Sequence, residues 1–167
     1  AAELGLPYGV ALFINPQFDP HIIGLYKKHF KPSAQCSESK VMLSTQIFAA
    51  DTEDKAAALS HAANLSFVRF VTRRGAPGTI SPEEAMQYRF SAEETLFVKQ
   101  ISERRIVGTR NQVQEQAGEL IDVYQADEML AVCNAYHFQD RVRSFEIFAN
   151  AMGAARNREN TSETAAA

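Results

Sequence analysis

The 167-residue chain has no tryptophan and only two cysteines, Cys36 and Cys133. Two cysteines cannot build a disulfide framework, and no C-x-x-C spacing occurs. Free thiols fit a reducing, cytoplasmic compartment, which is the expected localisation. Neither sign of charge dominates: the formal net charge is −3. That leaves no electrostatic case for nucleic acid or an anionic membrane as partner. No apolar run approaches the roughly 18 residues of a membrane span. The opening Ala1-Ala2-Glu3-Leu4-Gly5 lacks the basic segment and apolar core of a secretory signal. G-x-G-x-x-G, Walker A and G-x-S-x-G are all absent. His21, His29, His61 and His137 have no partner at H-x-x-x-H spacing, so no metal is expected.

What is present is ordinary for one globular domain: 46% hydrophobic and 22% charged residues. Residues 8–14 form a short, nearly continuous apolar run, the mark of a strand buried on both faces. Asp19-Pro20 then opens a helix with Ile22, Ile23, Tyr26 and Phe30 on one side, closed by Lys31-Pro32. Residues 41–50 read as a second strand. Asp51-Thr52 caps a helix with Leu59, Ala63, Phe67 and Phe70 on one face. Residues 72–79 are rich in Gly, Pro and Arg and read as a loop. Ser91 with Glu94, and Thr109 with Gln112, have capping-box spacing. The second box leads a stripe of Val113, Ala117, Leu120, Ile121 and Tyr124.

Residues 128–135 read as a third buried strand. A last helix over 140–152 turns Val142, Phe145, Phe148, Ala149 and Met152 inward. Residues 153–167 are polar and alanine-rich, an expected frayed tail. Three strands alternating with helices predict an α/β fold with parallel strands and right-handed crossovers. At the other end, Ala1 to Leu4 reads as the last turn of a helix, with Gly5 at C′ and Pro7 beyond. The chain therefore reads as cut from something longer.

Several residues invite a functional reading. Asn134, Tyr136 and His137 follow the last strand, where α/β folds place ligands, and equally suit a solvated loop. Gln46 is polar in mid-strand, so it faces either a lumen or a buried partner. Arg73 and Arg74 could clamp an anion from a loop, or simply face water. Gly108-Thr109 could receive a phosphate at a helix N-terminus, although a capping box already uses those donors. The aromatic set Phe67, Phe70, Phe90 and Phe97 reads as core.

The ordered set of motifs resembles the second half of the luciferase-like flavin monooxygenases. It comprises Leu4-Gly5-Leu6-Pro7-Tyr8, Phe30-Lys31-Pro32-Ser33, Ile47-Phe48-Ala49-Ala50-Asp51-Thr52, and Arg73-Arg74-Gly75 with Pro77-Gly78. Val107-Gly108-Thr109 with Gln112-Val113, Ala126-Asp127-Glu128-Met129, and Arg143-Ser144-Phe145-Glu146 complete it. The resemblance covers about residues 1–152. It implies a partial (β/α)8 TIM barrel, strands six to eight with their helices. It also implies reduced FMN as cofactor, with O2 and a small organic molecule as substrates and a flavin reductase as partner. Phe13, Asn15, Gln46, Asn134 and Tyr136 would wall the substrate and flavin pocket, with Arg73 and Arg74 on a lid loop; no catalytic residue is assigned.

Phe13 stands where relatives typically carry histidine. Tyr136-His137-Phe138 stands where Tyr-Asp-His is usual. Both bear on substrate choice or catalytic competence. The family's phosphate loop would precede Ala1, so FMN binding by this chain alone is expected to be weak or absent, and the chain inactive alone. The alternatives are a non-catalytic flavin or ligand binder of the same fold, and a folded fragment without a cofactor. Three parallel strands cannot close a barrel, so the isolated chain is expected to be a homo-oligomer.

Overall fold

Strand β2 (Val41–Ala49) organises the sheet, because every other strand pairs with it and every pairing is parallel. The computed structural model describes residues 1–73 and 78–153. A short turn at Ala2–Leu4 precedes β1 (Tyr8–Ala11), α1 (His21–His29) and β2. Then follow α2 (Glu53–Thr72), α3 (Pro82–Ala85), α4 (Ala92–Ser102) and β3 (Ile106–Gly108). The chain continues through α5 (Arg110–Tyr124), β4 (Glu128–Val132) and α6 (Phe138–Ala151). β1 pairs along Tyr8↔Val41 to Ala11↔Ser44, and β4 along Met42↔Glu128 to Gln46↔Val132. β3 takes the far end, Ile47↔Ile106 to Ala49↔Gly108.

The two-residue period of β2 separates its faces. Val41, Leu43, Thr45 and Ile47 are buried, whereas Met42, Ser44 and Gln46 are only partly covered. The buried side packs with Ile23 and Tyr26 of α1, Val113, Ala117 and Tyr124 of α5, and Ile147 and Ala151 of α6. A smaller cluster joins Ala62 and Leu65 of α2 to Ile80 and Ala85. The other side of the sheet is open: Gly9, Glu128 and Leu130 are exposed there.

Two glycines are required by the backbone. Gly5 ends the first turn at φ 63, as the sequence predicts, and a Cβ there would lie 2.5 Å from Lys31 O and from Ser33 Cβ. Gly108 has φ 150, and a Cβ would lie 2.5 Å from Gln112 Oε1.

The structure corrects several expectations. β1 stops at Ala11, because the Ile14 and Asn15 amides both turn back to Ala11 O. β4 stops at Val132, short of residue 135. β3 is a fourth strand where the sequence reading has only the approach to a helix. Phe67 and Phe70 are not core: Phe70 is 72% exposed. α2 packs on two sides, through Leu59 and Ala63 into one cluster and Ala62 and Leu65 into the other, which turns both rings away. In α6 the inward residues are Ser144, Ile147 and Ala151, while Phe145 is 42% exposed. Ser144 sets that rotation by bonding the backbone of Ala49. Arg74, with the rest of 74–77, and the tail from 154 lie outside the described residues.

Candidate functional site

Parallel α/β sheets place ligands beyond the C-terminal ends of their strands. A cavity of about 380 Å³ lies there. Phe13 reaches it just after β1, Gln46 from the end of β2, and Asn134 just after β4. Arg105 enters from the residue preceding β3. Phe67 and Phe70 of α2 and Ile101 of α4 supply apolar wall. These two phenylalanines, turned away from the core, are wall residues of this space, and Phe67 stacks on Phe97 at 5.9 Å.

Arg105 is the centre of the polar network. Its Nε and Nη2 donate to Gln46 Oε1 at 3.2 and 2.8 Å. Its Nη1 donates to Ser60 Oγ at 3.3 Å and Asn64 Oδ1 at 2.5 Å. Its carbon lies 5.1 Å from the Phe48 ring centroid. Every one of these partners is neutral, and no ion pair to Arg105 forms among the described residues. Burial pushes the guanidinium pKa down to about 10. The sign is that of a base whose charged form the fold disfavours. Its charge opposes folding at neutral pH, and the opposition fades only as pH rises above about 10 toward the ordinary arginine range.

Gln46 passes the polarity onward. Its Oε1 faces Arg105, so its Nε2 faces Asn134, donating to Oδ1 at 3.2 Å. Both readings of Gln46 are therefore met together: it has a structural partner, and it borders the cavity.

The other sequence candidates lie elsewhere. Asn15 is exposed in the turn after β1, where Ile14 and Pro16 border the cavity instead. Tyr136 is exposed and meets His137 edge-on at 4.9 Å; its carbonyl accepts from Arg141. Arg73 caps α2 in the left-handed region at φ 53, exposed and away from the cavity lining. Arg74 lies outside the described residues.

Of Gly108-Thr109, Thr109 borders a second hollow of about 270 Å³ with Asp51, Arg110 and Arg143. It behaves as a helix cap. Gln112 Oε1 accepts from the Thr109 amide at 2.9 Å and from its hydroxyl at 3.1 Å. Arg143 is engaged by Asp51 and Glu146, at 2.5 and 3.0 Å. The Arg143 hydrogen bond holds the Asp51 carboxyl below its usual range. An incoming phosphate would face that carboxylate. Among the described residues no cluster of His, Cys, Asp or Glu could hold a metal, and no helix is long and apolar enough to cross a membrane.

Relatives decide the wider setting. A luciferase-like monooxygenase of Escherichia coli K12 is 30% identical over 148 residues, 88% of this chain and 44% of its own length. The chain is a homologue of luciferase-like monooxygenases. Two uncharacterized Bacillus subtilis proteins, YwcH and YvbT, are 33% and 34% identical over 90% of the chain. No family model matches. Among solved structures, apo-MsnO8 superposes with a TM-score of 0.75 at 23% identity, covering 92% of this chain and 46% of that one. The monooxygenase RslO1 from Streptomyces bottropensis gives 0.54 at 18% identity. These two share the fold. The chain spans a little under half the length of the curated relatives it matches. The homology agrees with the resemblance read from the motif order and places the chain among oxidoreductase relatives. Arg105 had no signal in the sequence: Glu103-Arg104-Arg105 reads as surface charge, and only the pairing of β3 carries its third member inward.

Proposed function

We propose that this chain forms part of an FMN-dependent monooxygenase, contributing strands six to eight of a (β/α)8 barrel and one wall of its active site. The observation that carries the reading is the cavity at the strand ends, apolar but furnished with Arg105, Gln46 and Asn134, in a homologue of luciferase-like monooxygenases. The cavity suits the apolar body and single polar group of an organic substrate lodged beside the flavin. Phe13, Phe67 and Ile101 offer flat apolar contact, and Arg105 and Asn134 offer donors. A phosphate is not suited, since the Thr109 amide is already bonded and Asp51 guards the neighbouring arginine. The phosphate would be held by residues outside this chain, which alone would be inactive.

Reduced FMN, when bound, supplies the electrons for oxygen chemistry. Phe13, Phe67 and Phe70 would supply apolar wall beside the reacting region, and the Arg105–Gln46–Asn134 chain would orient polar groups there. The partners of the whole protein would be a small organic substrate, O2 and a flavin reductase.

The test is turnover by the full-length protein with reduced FMN and isotopically labelled dioxygen, across a panel of organic acids, aldehydes and alcohols. The expected result is a labelled oxygen atom in one organic product. Label found only in water and peroxide, with FMN bound, would favour the non-catalytic binder that Phe13 in place of histidine suggests.

A further inference from the structure

We propose that the cavity selects an organic carboxylate with an apolar body, its carboxylate received by Arg105 and Asn134 and its body by Phe13, Phe67 and Phe70. This names the substrate class of the site proposed above and rests on that site being the ligand pocket.

The first support is charge. Among the described residues, Arg105 is the only charged one that lines the cavity, and no carboxylate pairs with it. Arg105 is partly buried, and a cation with a desolvated side gains from an anion placed opposite it. Here the protein supplies amide and hydroxyl oxygens only. A ligand anion would complete the pair.

Donor accounting gives the second support. A guanidinium carries five N–H groups. Four are used: one on Nε, one on Nη2 and two on Nη1. The second hydrogen of Nη2 has no partner among the described residues. The direction of the network supplies another donor. Because Gln46 accepts from Arg105 it must donate to Asn134 Oδ1, and that commitment leaves the Asn134 amide hydrogens for the cavity. The site thus presents donors and a positive charge, while Gln46 Oε1 and Asn134 Oδ1 are engaged by donors of the protein itself. Neutral or cationic ligands gain little from such a set.

Size and polarity choose among anions. One guanidinium and one amide match a monoanion. A phosphate dianion would leave charge unmatched against phenyl walls. An inorganic ion would leave those walls unused, in a space of about 380 Å³ that has room for a body of several carbons.

The test titrates the flavin-free protein with octanoate, 1-octanol, octylamine and acetate, followed by amide NMR shifts. Neither flavin nor turnover enters, so failure here leaves oxygenation standing, and failed oxygenation leaves this site standing. Octanoate should bind about tenfold or more tightly than octanol, the factor one charge-assisted hydrogen bond can supply. Octylamine and acetate should bind more weakly still. Arg105→Met should erase the preference for octanoate over octanol, and Arg105→Lys should keep part of it. Equal affinity for octanoate and octanol in the unaltered protein overturns the proposal without reference to any variant. So does a preference for octylamine, or the absence of saturable octanoate binding.

Discussion

Ser144 is polar and fully buried, and its surroundings explain why. Its hydroxyl donates to Ala49 O at 2.8 Å and accepts from Ala49 N at 3.1 Å. One side chain of α6 therefore satisfies both backbone groups at the end of β2. Removing it leaves two buried groups without partners, each a desolvation cost. Ser144→Ala should lower stability by about 2 kcal/mol. Urea unfolding should show the midpoint fall with the slope unchanged. Arg105 is the opposite case: four of its five N–H groups are bonded, yet no anion among the described residues matches its charge. Both residues escape sequence reading for one reason. Polar type alone ranks a helical serine and a loop arginine as outward, and only the tertiary position of β2 and β3 turns Ser144 and Arg105 inward.

At the scale of elements, local signals were legible and tertiary packing was not. The Ser91–Glu94 capping box, the αL glycine at residue 5, and the α5 stripe of Val113, Ala117, Leu120 and Tyr124 all follow from spacing. The sequence pattern overextends β1 and β4 because apolar runs continue past the strand ends into Phe13, Ile14 and Cys133. β3 was invisible because three residues carry no period. Its junction with α5 depends on Gly108, whose φ of 150 favours glycine and whose missing Cβ makes room for Gln112. Gly108→Ala should cost about 1–3 kcal/mol from backbone strain and loosen the cap. Amide exchange should then quicken at the start of α5 before it quickens in β2. Of the candidate site, Phe13, Gln46 and Asn134 reach the cavity because strand ends are readable. Asn15, Tyr136 and Arg73 do not, since turn geometry decides where loop side chains point.

Among the described residues of the whole molecule, helices cover one face of the parallel sheet and leave the other open. Parallel sheets are ordinarily covered on both faces. Here Gly9, Glu128 and Leu130 lie open, and Leu130 is 51% exposed. An uncovered face beside incompletely paired strands favours association. We therefore expect the isolated chain to be a homo-oligomer, most simply a two-fold dimer that covers this face. Sedimentation across a dilution series should show dissociation with a single mass ratio. A monomer that stays monodisperse at tens of micromolar would mean the face tolerates water.

If the cavity of Phe13, Gln46, Asn134 and Arg105 borders a flavin site, reduced FMN itself will report on it. An anaerobic titration of the full-length protein should saturate in the micromolar range, near −8 kcal/mol, while this chain alone reaches no tighter than about millimolar. Phe13→Ala and Asn134→Leu should each weaken full-length binding about tenfold, and Asn15→Ala should leave it unchanged. Full-length binding that ignores Phe13 and Asn134, or no binding at all, would contradict the account.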